Sequence, residues 1–244
     1  MKESRFFYVP DASRLDEMPM DEGLHALRVL RLKSGDEMFL MDGEGYFYRA
    51  EVTIAATKRC VYRINEVMPQ EKAWRGRIHL VMAPTKMMDR VEWFAEKATE
   101  IGVDELSFVG CKFSERKMLR TVRLEKIVVS AMKQSRKPWK PVVNPMVPFK
   151  EFLQIPRSGM KFIAHCYEEI ERADLHSILS SSEYADSNDD ITILIGPEGD
   201  FSIDEVRMAI DAGYRSISLG SARLRTETAA LYAVMISQLA RRIE

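Results

Sequence analysis

The spacing of apolar positions changes near residue 77 and divides the chain into two regions. Before this point, short runs alternate apolar with polar residues, which is typical of strands that bury one face. The segment "SGDEMFLMDGEGYFYRAEV" has two such runs on either side of Asp42–Gly45 and predicts a β-hairpin. The segment "EGLHALRVLRLKSG" predicts a short helix that carries Arg28, Arg31 and Lys33. These elements predict a small β-barrel with a basic edge over residues 1–70.

After a polar linker over Gln70–Arg77, strand patterns alternate with helix patterns. Five short apolar runs predict strands: "RIHLVMA", "DELSFVG", "MKFIAHC", "ITILI" and "SISLG". Helices are predicted over "KMMDRVEWFAEKATEIG", around Leu119–Ser135, after "ITILI", and over Glu227–Ile243. This alternation predicts an α/β domain over residues 74–244, with a mostly parallel sheet covered by helices on both faces.

The last predicted helix carries apolar residues along one side, namely Leu231, Val234, Met235 and Leu239. A stripe of this kind packs against the core of the domain or forms a subunit interface. We expect this helix to do both.

Composition narrows the class of protein. Of the 244 residues, 46% are hydrophobic and 30% are charged, which is typical of a soluble globular protein with a sizeable core. No run approaches the roughly 18 apolar residues of a membrane span, and the first residues, "MKESRFFYVPDAS", lack an apolar signal segment. Cys60, Cys111 and Cys166 are too widely spaced for a disulfide framework, so we expect a cytoplasmic protein.

Charge is distributed unevenly although the net charge is −1. The basic segment Lys112–Pro141 contains ten Lys or Arg residues and two acids, a local net charge of +8. Residues 168–190 contain eight acids and one arginine. The basic segment predicts a surface that binds a polyanion such as RNA, and the alternative is a solvated helix face.

Two loops follow predicted strands of the second region. The glycine loop, "GPEGDF" over residues 196–201, comes after "ITILI" and precedes a helix whose Ser202 and Glu205 match a capping box. The arginine loop, "LGSARLRTETA" over residues 219–229, comes after "SISLG", with Thr226 as the expected cap of the last helix. We expect both loops at the carboxyl ends of neighbouring parallel strands, where open α/β sheets bind ligands. The alternative is that each loop only connects a strand to a helix.

Other kinds of site are disfavoured by the sequence. The four histidines, His25, His79, His165 and His176, show no spacing typical of a metal site, so we expect no metal. Neither a G-x-S-x-G nucleophile motif nor a phosphate-binding G-x-x-x-x-G-K-S/T motif is present.

The segment "GPEGDFSIDE" followed by "SLGSARLRTETAA" resembles the RsmE-like family of the SPOUT superfamily. The members of this family methylate N3 of a uridine in 16S ribosomal RNA. The resemblance extends to "HALRVLRLKSGDEMFLMDGEGYFYRAEV", "KMMDRVEWFAEKATEIGV" and "AMKQSRKPW", so it covers nearly the whole chain. It implies a PUA-like RNA-binding barrel, a methyltransferase domain with a trefoil knot near its C-terminus, S-adenosylmethionine (SAM) as cofactor, no metal, and a homodimer that acts on the small ribosomal subunit.

The resemblance also implies site residues. The cofactor-binding positions are Ala164, His165, Cys166, Ile195, Gly196, Pro197, Glu198, Gly199, Leu219, Gly220, Leu224, Arg225, Thr226, Glu227 and Thr228. The candidate RNA-binding residues are Arg28, Arg31, Arg116, Lys117, Arg120, Arg123 and Arg136.

Removing the proton from uracil N3 leaves negative charge on the base, which a nearby cation stabilises in the transition state. Arg225 is the first catalytic candidate and Arg136 the second. Glu198 or Glu227 receives the proton or orients the arginine, and the sequence does not choose between them. Two other functions stay open: a SPOUT enzyme that methylates a ribose 2′-hydroxyl, and a non-catalytic RNA-binding protein of ribosome assembly.

The chain departs from the family pattern at three places. Asp200 stands where the family usually has a second glycine, and Ser221 and Ala222 stand where it tends to have Pro-Arg. In "KQSRKPW", Arg136 occupies the position of a family glycine. Asp tolerates a left-handed backbone better than most residues, although it costs more than Gly there.

Overall fold

The computed structural model describes residues 5–184 and 186–243, and these form two compact units. The first unit contains Met1–Lys72 and Val129–Lys140, and the second contains Ala73–Val128 and Pro141–Glu244. Residues 1–4, 185 and 244 belong to the predicted ranges 1–70 and 74–244 but lie outside the described residues.

The first unit is built on a four-stranded sheet. Its strands, in the spatial order β1-β2-β3-β4, are β1 (Phe6–Tyr8), β2 (Glu37–Met41), β3 (Tyr46–Ala55) and β4 (Cys60–Pro69). The first pair is parallel and the other two pairs are antiparallel. Helix α1 (Met20–Leu24) continues as a π-helical turn over His25–Val29, which confirms a short helix that carries Arg28. The prediction that this helix also carries Arg31 and Lys33 is wrong, because the helical residues end at Val29. The observed architecture is a small β domain at the N-terminal end of the chain.

The predicted hairpin joins β2 to β3 and is confirmed. Asp42 Oδ1 accepts hydrogen bonds from Glu44 N at 2.7 Å and Tyr46 N at 3.1 Å, and its Oδ2 accepts one from Tyr48 Oη at 2.9 Å. Gly45 has a φ of 102°, a backbone conformation that L side chains rarely adopt. The carboxylate and the glycine together fix the tight turn that the sequence pattern indicates.

The second unit is a seven-stranded parallel sheet in the order β7-β6-β5-β10-β8-β11-β9. The strands are β5 (Ile78–Met82), β6 (Glu105–Gly110), β7 (Val142–Pro148), β8 (Met160–Ala164), β9 (Ala173–Asp174), β10 (Ile191–Ile195) and β11 (Arg215–Ser218). The helices are α2 (Met88–Ile101), α3 (Thr121–Ser135), α4 (Phe149–Leu153), α5 (Leu175–Leu179), α6 (Ile203–Asp211) and α7 (Thr226–Ala240). The last residues of α3 belong to the first unit.

Helices cover both faces of this sheet because successive side chains of its strands point to opposite faces. Leu80 packs in a cluster with residues of α2, α5 and α7, whereas the next residue, Val81, packs in a second cluster with residues of α4 and α6. All five residues of β5 and all five of β10 are buried, as expected for strands covered on both sides. The prediction of a parallel sheet between two helical layers is confirmed.

Strand β7 and the short elements α4, β9 and α5 are absent from the sequence-based prediction. The last helix occupies Thr226–Ala240, rather than Glu227–Ile243. Its predicted apolar side is divided: Val234 is fully buried, whereas Met235 and Leu239 are exposed.

Candidate active site

The carboxyl ends of the four central strands lie side by side at one edge of the sheet. In the ladder, Ile195 of β10 pairs with Met82 of β5 and with Ala164 of β8, and Ala164 also pairs with Ile217 of β11. Because all of these strands are parallel, the loops that follow them leave the sheet from the same edge. This edge therefore carries the glycine loop, the arginine loop and the β8 loop, which we define as residues 165–167.

The expectation that β10 and β11 are neighbours is wrong, because β8 lies between them. Strands β10 and β11 are consecutive along the chain, but this does not make them adjacent in the sheet. The β8 loop therefore lies between the glycine loop and the arginine loop. Ala164, His165 and Cys166 thus follow the strand that separates the other two loops.

Three carboxylates, two in the glycine loop and one at the start of α6, accept hydrogen bonds from backbone N–H groups of three other loops. The pairs are Glu198 Oε1 with Lys86 N at 2.9 Å, Asp200 Oδ2 with Cys166 N at 2.8 Å, and Glu205 Oε1 with Lys112 N at 2.8 Å. The donors follow β5, β8 and β6, respectively. Each bond has an ionised acceptor and is therefore stronger than a neutral hydrogen bond. The glycine loop is thus tied to the loops after β5 and β8, and the start of α6 is tied to the loop after β6.

The predicted capping box of α6 is confirmed. Ser202 Oγ accepts a hydrogen bond from Glu205 N, and Glu205 Oε2 accepts one from Ser202 N at 2.8 Å. Glu205 is buried, and its other oxygen is the one that binds Lys112 N. The cap therefore also fixes the loop after β6, a link that the sequence motif alone does not indicate.

The glycines of the two loops differ in what surrounds them. A Cβ at Gly196 would lie 3.0 Å from Phe201 N, so this glycine allows a close approach within its own loop. A Cβ at Gly199 would lie 3.3 Å from the Cβ of Phe113, which belongs to the loop after β6. Gly220 has a φ of 96°, and a Cβ there would meet no atom within 4 Å. The arginine loop therefore offers exposed backbone beside open space.

Arg225 is the N-cap residue of α7, and its side chain makes no capping hydrogen bond. The prediction that Thr226 caps this helix is therefore wrong: Thr226 is already the first helical residue and is buried. Arg225 is exposed, and its guanidinium has no hydrogen-bond or ion-pair partner among residues 5–184 and 186–243. It is thus free to bind a ligand at this edge.

Glu227 differs from Glu198 in its surroundings. Its carboxylate is buried and pairs with Arg90 Nη1 of α2, so it anchors the start of α7 to that helix. Glu198 is exposed, and its hydrogen bond to Lys86 N leaves the carboxylate at the surface.

The remaining predicted cofactor-binding residues differ in burial. Leu219 packs against the core cluster that includes α7, and Leu224 is half-buried. Pro197 is buried and Thr228 is exposed.

The β8 loop contains one buried and one exposed titratable side chain. His165 is buried, and its Nδ1 accepts a hydrogen bond from Tyr167 N at 3.3 Å, which places the proton on Nε2. This Nε2 has no hydrogen-bond partner among the described residues. Burial lowers the pKa of His165, so the ring is neutral at pH 7. Cys166 is exposed, and both partial burial of its thiol and the charge of Asp200 raise its pKa.

The basic candidates for RNA binding lie on both units. Arg28, Arg31 and Arg136 are exposed residues of the first unit, and the Arg136 guanidinium lies 5.3 Å from the ring centroid of Phe6. The other candidates, Arg116, Lys117, Arg120 and Arg123, belong to the second unit together with Arg225 and Glu198.

Two of the second unit's basic side chains are committed to protein contacts. Arg116 donates to the backbone oxygens of Thr85, at 3.0 Å, and Lys86, and so fixes the loop after β5. Arg123 pairs with Glu92 at 2.6 Å on the surface of α2. Lys117 and Arg120 are exposed and have no such partner in the described part of the chain. Lys117 and Arg120 are therefore better candidates for phosphate contacts than Arg116 and Arg123.

Sequence reasoning missed the contributions of Lys86, Phe113 and Arg90. Lys86 and Phe113 each lie three residues after the end of a predicted strand, "RIHLVMA" and "DELSFVG", so their position in a loop after a strand is a usable signal. Arg90 gave no signal, because its role depends on the packing of α2 beside α7.

Within the described residues, no group of three or more His, Cys, Asp or Glu side chains is arranged to hold a metal ion. No helix formed by the described residues is both long enough and apolar enough to cross a membrane.

Comparison with known proteins decides the family. Residues 71–238 match the RNA methyltransferase domain family, and residues 20–64 match the PUA domain of RNA methyltransferases. The chain belongs to the RNA methyltransferase family. The resemblance inferred from the two loops is thereby confirmed.

Individual relatives agree with this assignment. The ribosomal RNA small subunit methyltransferase E of Mycobacterium bovis is 30% identical, over 93% of this chain and 88% of its own. A probable rRNA methyltransferase from Porphyromonas gingivalis has a crystal structure with a TM-score of 0.87 and 40% identity, over 97% of this chain and 98% of its own. The ribosomal RNA small subunit methyltransferase E of Neisseria gonorrhoeae, solved with bound S-adenosyl methionine, has a TM-score of 0.83 and 26% identity, over 97% and 98% of the two chains.

Proposed function

We propose that this protein transfers the methyl group of SAM to N3 of a uridine in 16S ribosomal RNA of the small subunit. The proposal combines membership of the RNA methyltransferase family with the naming of its relatives as small-subunit rRNA methyltransferases. We propose a cytoplasmic location as well, because the proposed substrate is ribosomal RNA.

The observation that carries the proposal is the meeting of three loops at the carboxyl edge of β10, β8 and β11. The residues there fit SAM: Gly220 presents backbone beside open space, and carboxylates tie the glycine loop to its neighbours. We assign the cofactor to Ala164–Cys166, Ile195–Gly199, Leu219, Gly220 and Leu224–Thr228. When bound, SAM supplies an electrophilic methyl group on a sulfonium, so the protein needs no metal.

The residues of this chain supply orientation and charge. Arg225 is exposed and unpaired, so its guanidinium is available to stabilise the negative charge that develops on uracil as N3 loses its proton. Glu198 is the better proton acceptor, because the carboxylate of Glu227 is buried against Arg90. Arg136 belongs to the first unit and stays the second candidate for the cation.

We also retain the finer architecture of the family as part of the proposal. It comprises a PUA-like barrel over residues 1–70 that contacts RNA, and a SPOUT domain over residues 74–244 with a trefoil knot. The knot is proposed from the family resemblance, and the strand order, with β10 between β5 and β8, is compatible with it. Arg28, Arg31, Lys117 and Arg120 are the exposed cations that we assign to phosphate contacts.

The apolar face left on α7 supports a homodimer. Tyr232, Met235 and Leu239 recur at helical spacing and are 43%, 40% and 62% exposed. We expect a sedimentation mass of about twice 28.1 kDa at micromolar concentration, and Leu239→Glu should shift it towards the monomer. A monomeric mass for the unmodified protein would remove the dimer from the proposal.

Mass spectrometry of nucleosides from purified small-subunit rRNA tests the function. A strain that lacks the protein should lose 3-methyluridine, and the wild-type gene should restore it. Loss of a 2′-O-methylnucleoside with 3-methyluridine unchanged would favour the ribose methyltransferase instead. Failure of the purified protein to bind SAM in calorimetry would favour the non-catalytic RNA-binding protein.

A further inference from the structure

Asp200 occupies a backbone conformation that suits glycine. Its φ is 65°, and its N–H donates to Pro197 O at 2.9 Å to close the turn of the glycine loop. Most side chains are strained at such a φ, whereas Asp is tolerated because its short side chain can bond locally. Here Asp200 Oδ1 accepts a hydrogen bond from Phe201 N at 2.7 Å. A glycine would satisfy the turn equally well, so the turn does not explain the carboxylate.

The second oxygen of this carboxylate reaches the β8 loop. Asp200 Oδ2 accepts from Cys166 N at 2.8 Å, across 34 positions of sequence. A second bond, from Tyr167 Oη to Phe201 O at 2.8 Å, joins the same two loops. The strands that carry these loops, β8 and β10, are paired along their whole length. The carboxylate thus extends the contact between the two strands beyond the end of the sheet.

We propose that Asp200 is a positioning residue that fixes the β8 loop against the glycine loop, so that these two walls of the SAM site share one geometry before the cofactor binds. The inference rests on the proposed function, since it needs SAM at this edge. A glycine in place of Asp200 keeps the turn but removes one of the two described hydrogen bonds that join the β8 loop to the glycine loop, and leaves the one from Tyr167. The loop must then be ordered by SAM, and this ordering weakens binding.

Cys166 provides a built-in probe of this contact. It is the exposed cysteine of the described chain, since Cys60 and Cys111 are buried, and its own N–H is the donor to Asp200. Besides partial burial, the charge of Asp200 raises the pKa of the Cys166 thiol. Removing this charge therefore increases the thiolate fraction and speeds alkylation at a fixed pH.

The experiment compares Asp200→Gly and Asp200→Asn with Asp211→Asn, which removes an exposed carboxylate at the end of α6. For each variant we would measure the Kd for SAM by calorimetry, the single-turnover rate at saturating SAM, and the rate of Cys166 alkylation by iodoacetamide. We expect Asp200→Gly to weaken SAM binding about tenfold, the loss of one charge-assisted hydrogen bond. The rate at saturating SAM should change less than the Kd, because the proposal gives Asp200 a role in ordering the β8 loop and none in the transfer step.

Asp200→Asn should bind SAM with intermediate affinity, because its amide oxygen can still accept one N–H. Both Asp200 variants should alkylate faster at Cys166, and Asp211→Asn should match the wild type in all three measurements. Wild-type SAM affinity in both Asp200→Gly and Asp200→Asn would overturn the inference. Absence of SAM binding in the wild-type protein would instead refute the proposed function, so the two failures are distinguishable.

Discussion

Replacement of Arg225 by alanine should slow methyl transfer while leaving the stability of the protein unchanged. Arg225 is exposed and its side chain makes no cap, so substitution should alter the free energy of unfolding by no more than about 0.5 kcal/mol. A cation at a helix N-terminus is opposed by the helix dipole, so any change in stability should be towards a more stable protein. The cost should therefore appear in the reaction alone.

The expected loss in rate is about 3 kcal/mol of transition-state stabilisation, or roughly a hundredfold, the magnitude typical of one removed donor at a developing oxyanion. The assay is single-turnover transfer from labelled SAM to small ribosomal subunits, with the affinities for SAM and RNA measured separately. Arg225→Lys should recover part of the rate, because it restores the charge but not the planar fork. Arg223→Ala, at another exposed residue of the arginine loop, is the matched control and should react at close to the wild-type rate.

The reasoning is refuted if Arg225→Ala keeps the chemical rate and loses only affinity for RNA. Arg225 would then be a phosphate contact, and Arg136 would become the better candidate for the catalytic cation. A large fall in melting temperature for Arg225→Ala would contradict the absence of a stabilising contact for the Arg225 side chain among the described residues.

Three other predictions concern the glycine loop, the basic segment and the core. Gly199→Val should abolish SAM binding in a folded protein, because its side chain would occupy space that the proposal gives to the cofactor and the added Cβ would also lie 3.3 Å from Phe113 Cβ; wild-type affinity would make the loop a connector. The double variant Lys117→Glu and Arg120→Glu should weaken RNA binding and flatten its salt dependence at constant SAM affinity, and an unchanged salt slope would place these residues away from RNA. Burial lowers the pKa of His79 to about 2, so the unfolded chain binds a proton below pH 6.5 that the folded chain does not. Stability should then fall on acidification by up to about 1.4 kcal/mol per pH unit, and urea titrations should find a shallower fall for His79→Gln.

Local sequence patterns were sufficient for most elements of the sheet. The run "ITILI" is short, β-branched and apolar throughout, and it forms the fully buried strand β10. Strand β7 was missed because Pro145 and Pro148 argue against a strand. It is tolerated because β7 lies at the edge of the sheet, where a missing N–H donor is acceptable. Helices α4 and α5 have five residues each, too few to show a helical period.

Spatial order was beyond the reach of local patterns. The position of β8 between β10 and β11 depends on pairing between strands that are distant in sequence, and no residue of these strands encodes it locally. The family resemblance supplied the β8 loop as a third wall of the site, although it did not show that this loop lies in the middle. The ion pair of the buried Glu227 with the partly exposed Arg90 could not be predicted for the same reason, since it needs α2 beside α7.

The two positions where this chain replaces a glycine of the family pattern illustrate what is inherited and what is new. Asp200 and Arg136 have φ values of 65° and 53°, so both keep the left-handed backbone for which glycine is suited. Each replacement also adds a contact that glycine lacks: the Asp200 carboxylate binds Cys166 N at 2.8 Å, and the Arg136 guanidinium lies 5.3 Å from the Phe6 ring centroid. Asp and Arg are less favourable than glycine in the left-handed backbone conformation, and the contact that each side chain makes offsets this difference in stability. Nothing in the structure explains Ser221 and Ala222, which are exposed. A departure from a glycine is therefore most informative where φ is positive, and by this criterion Asp200, which follows the proposed cofactor-binding residues of the glycine loop, is the position at which this chain is expected to differ from its relatives in SAM affinity.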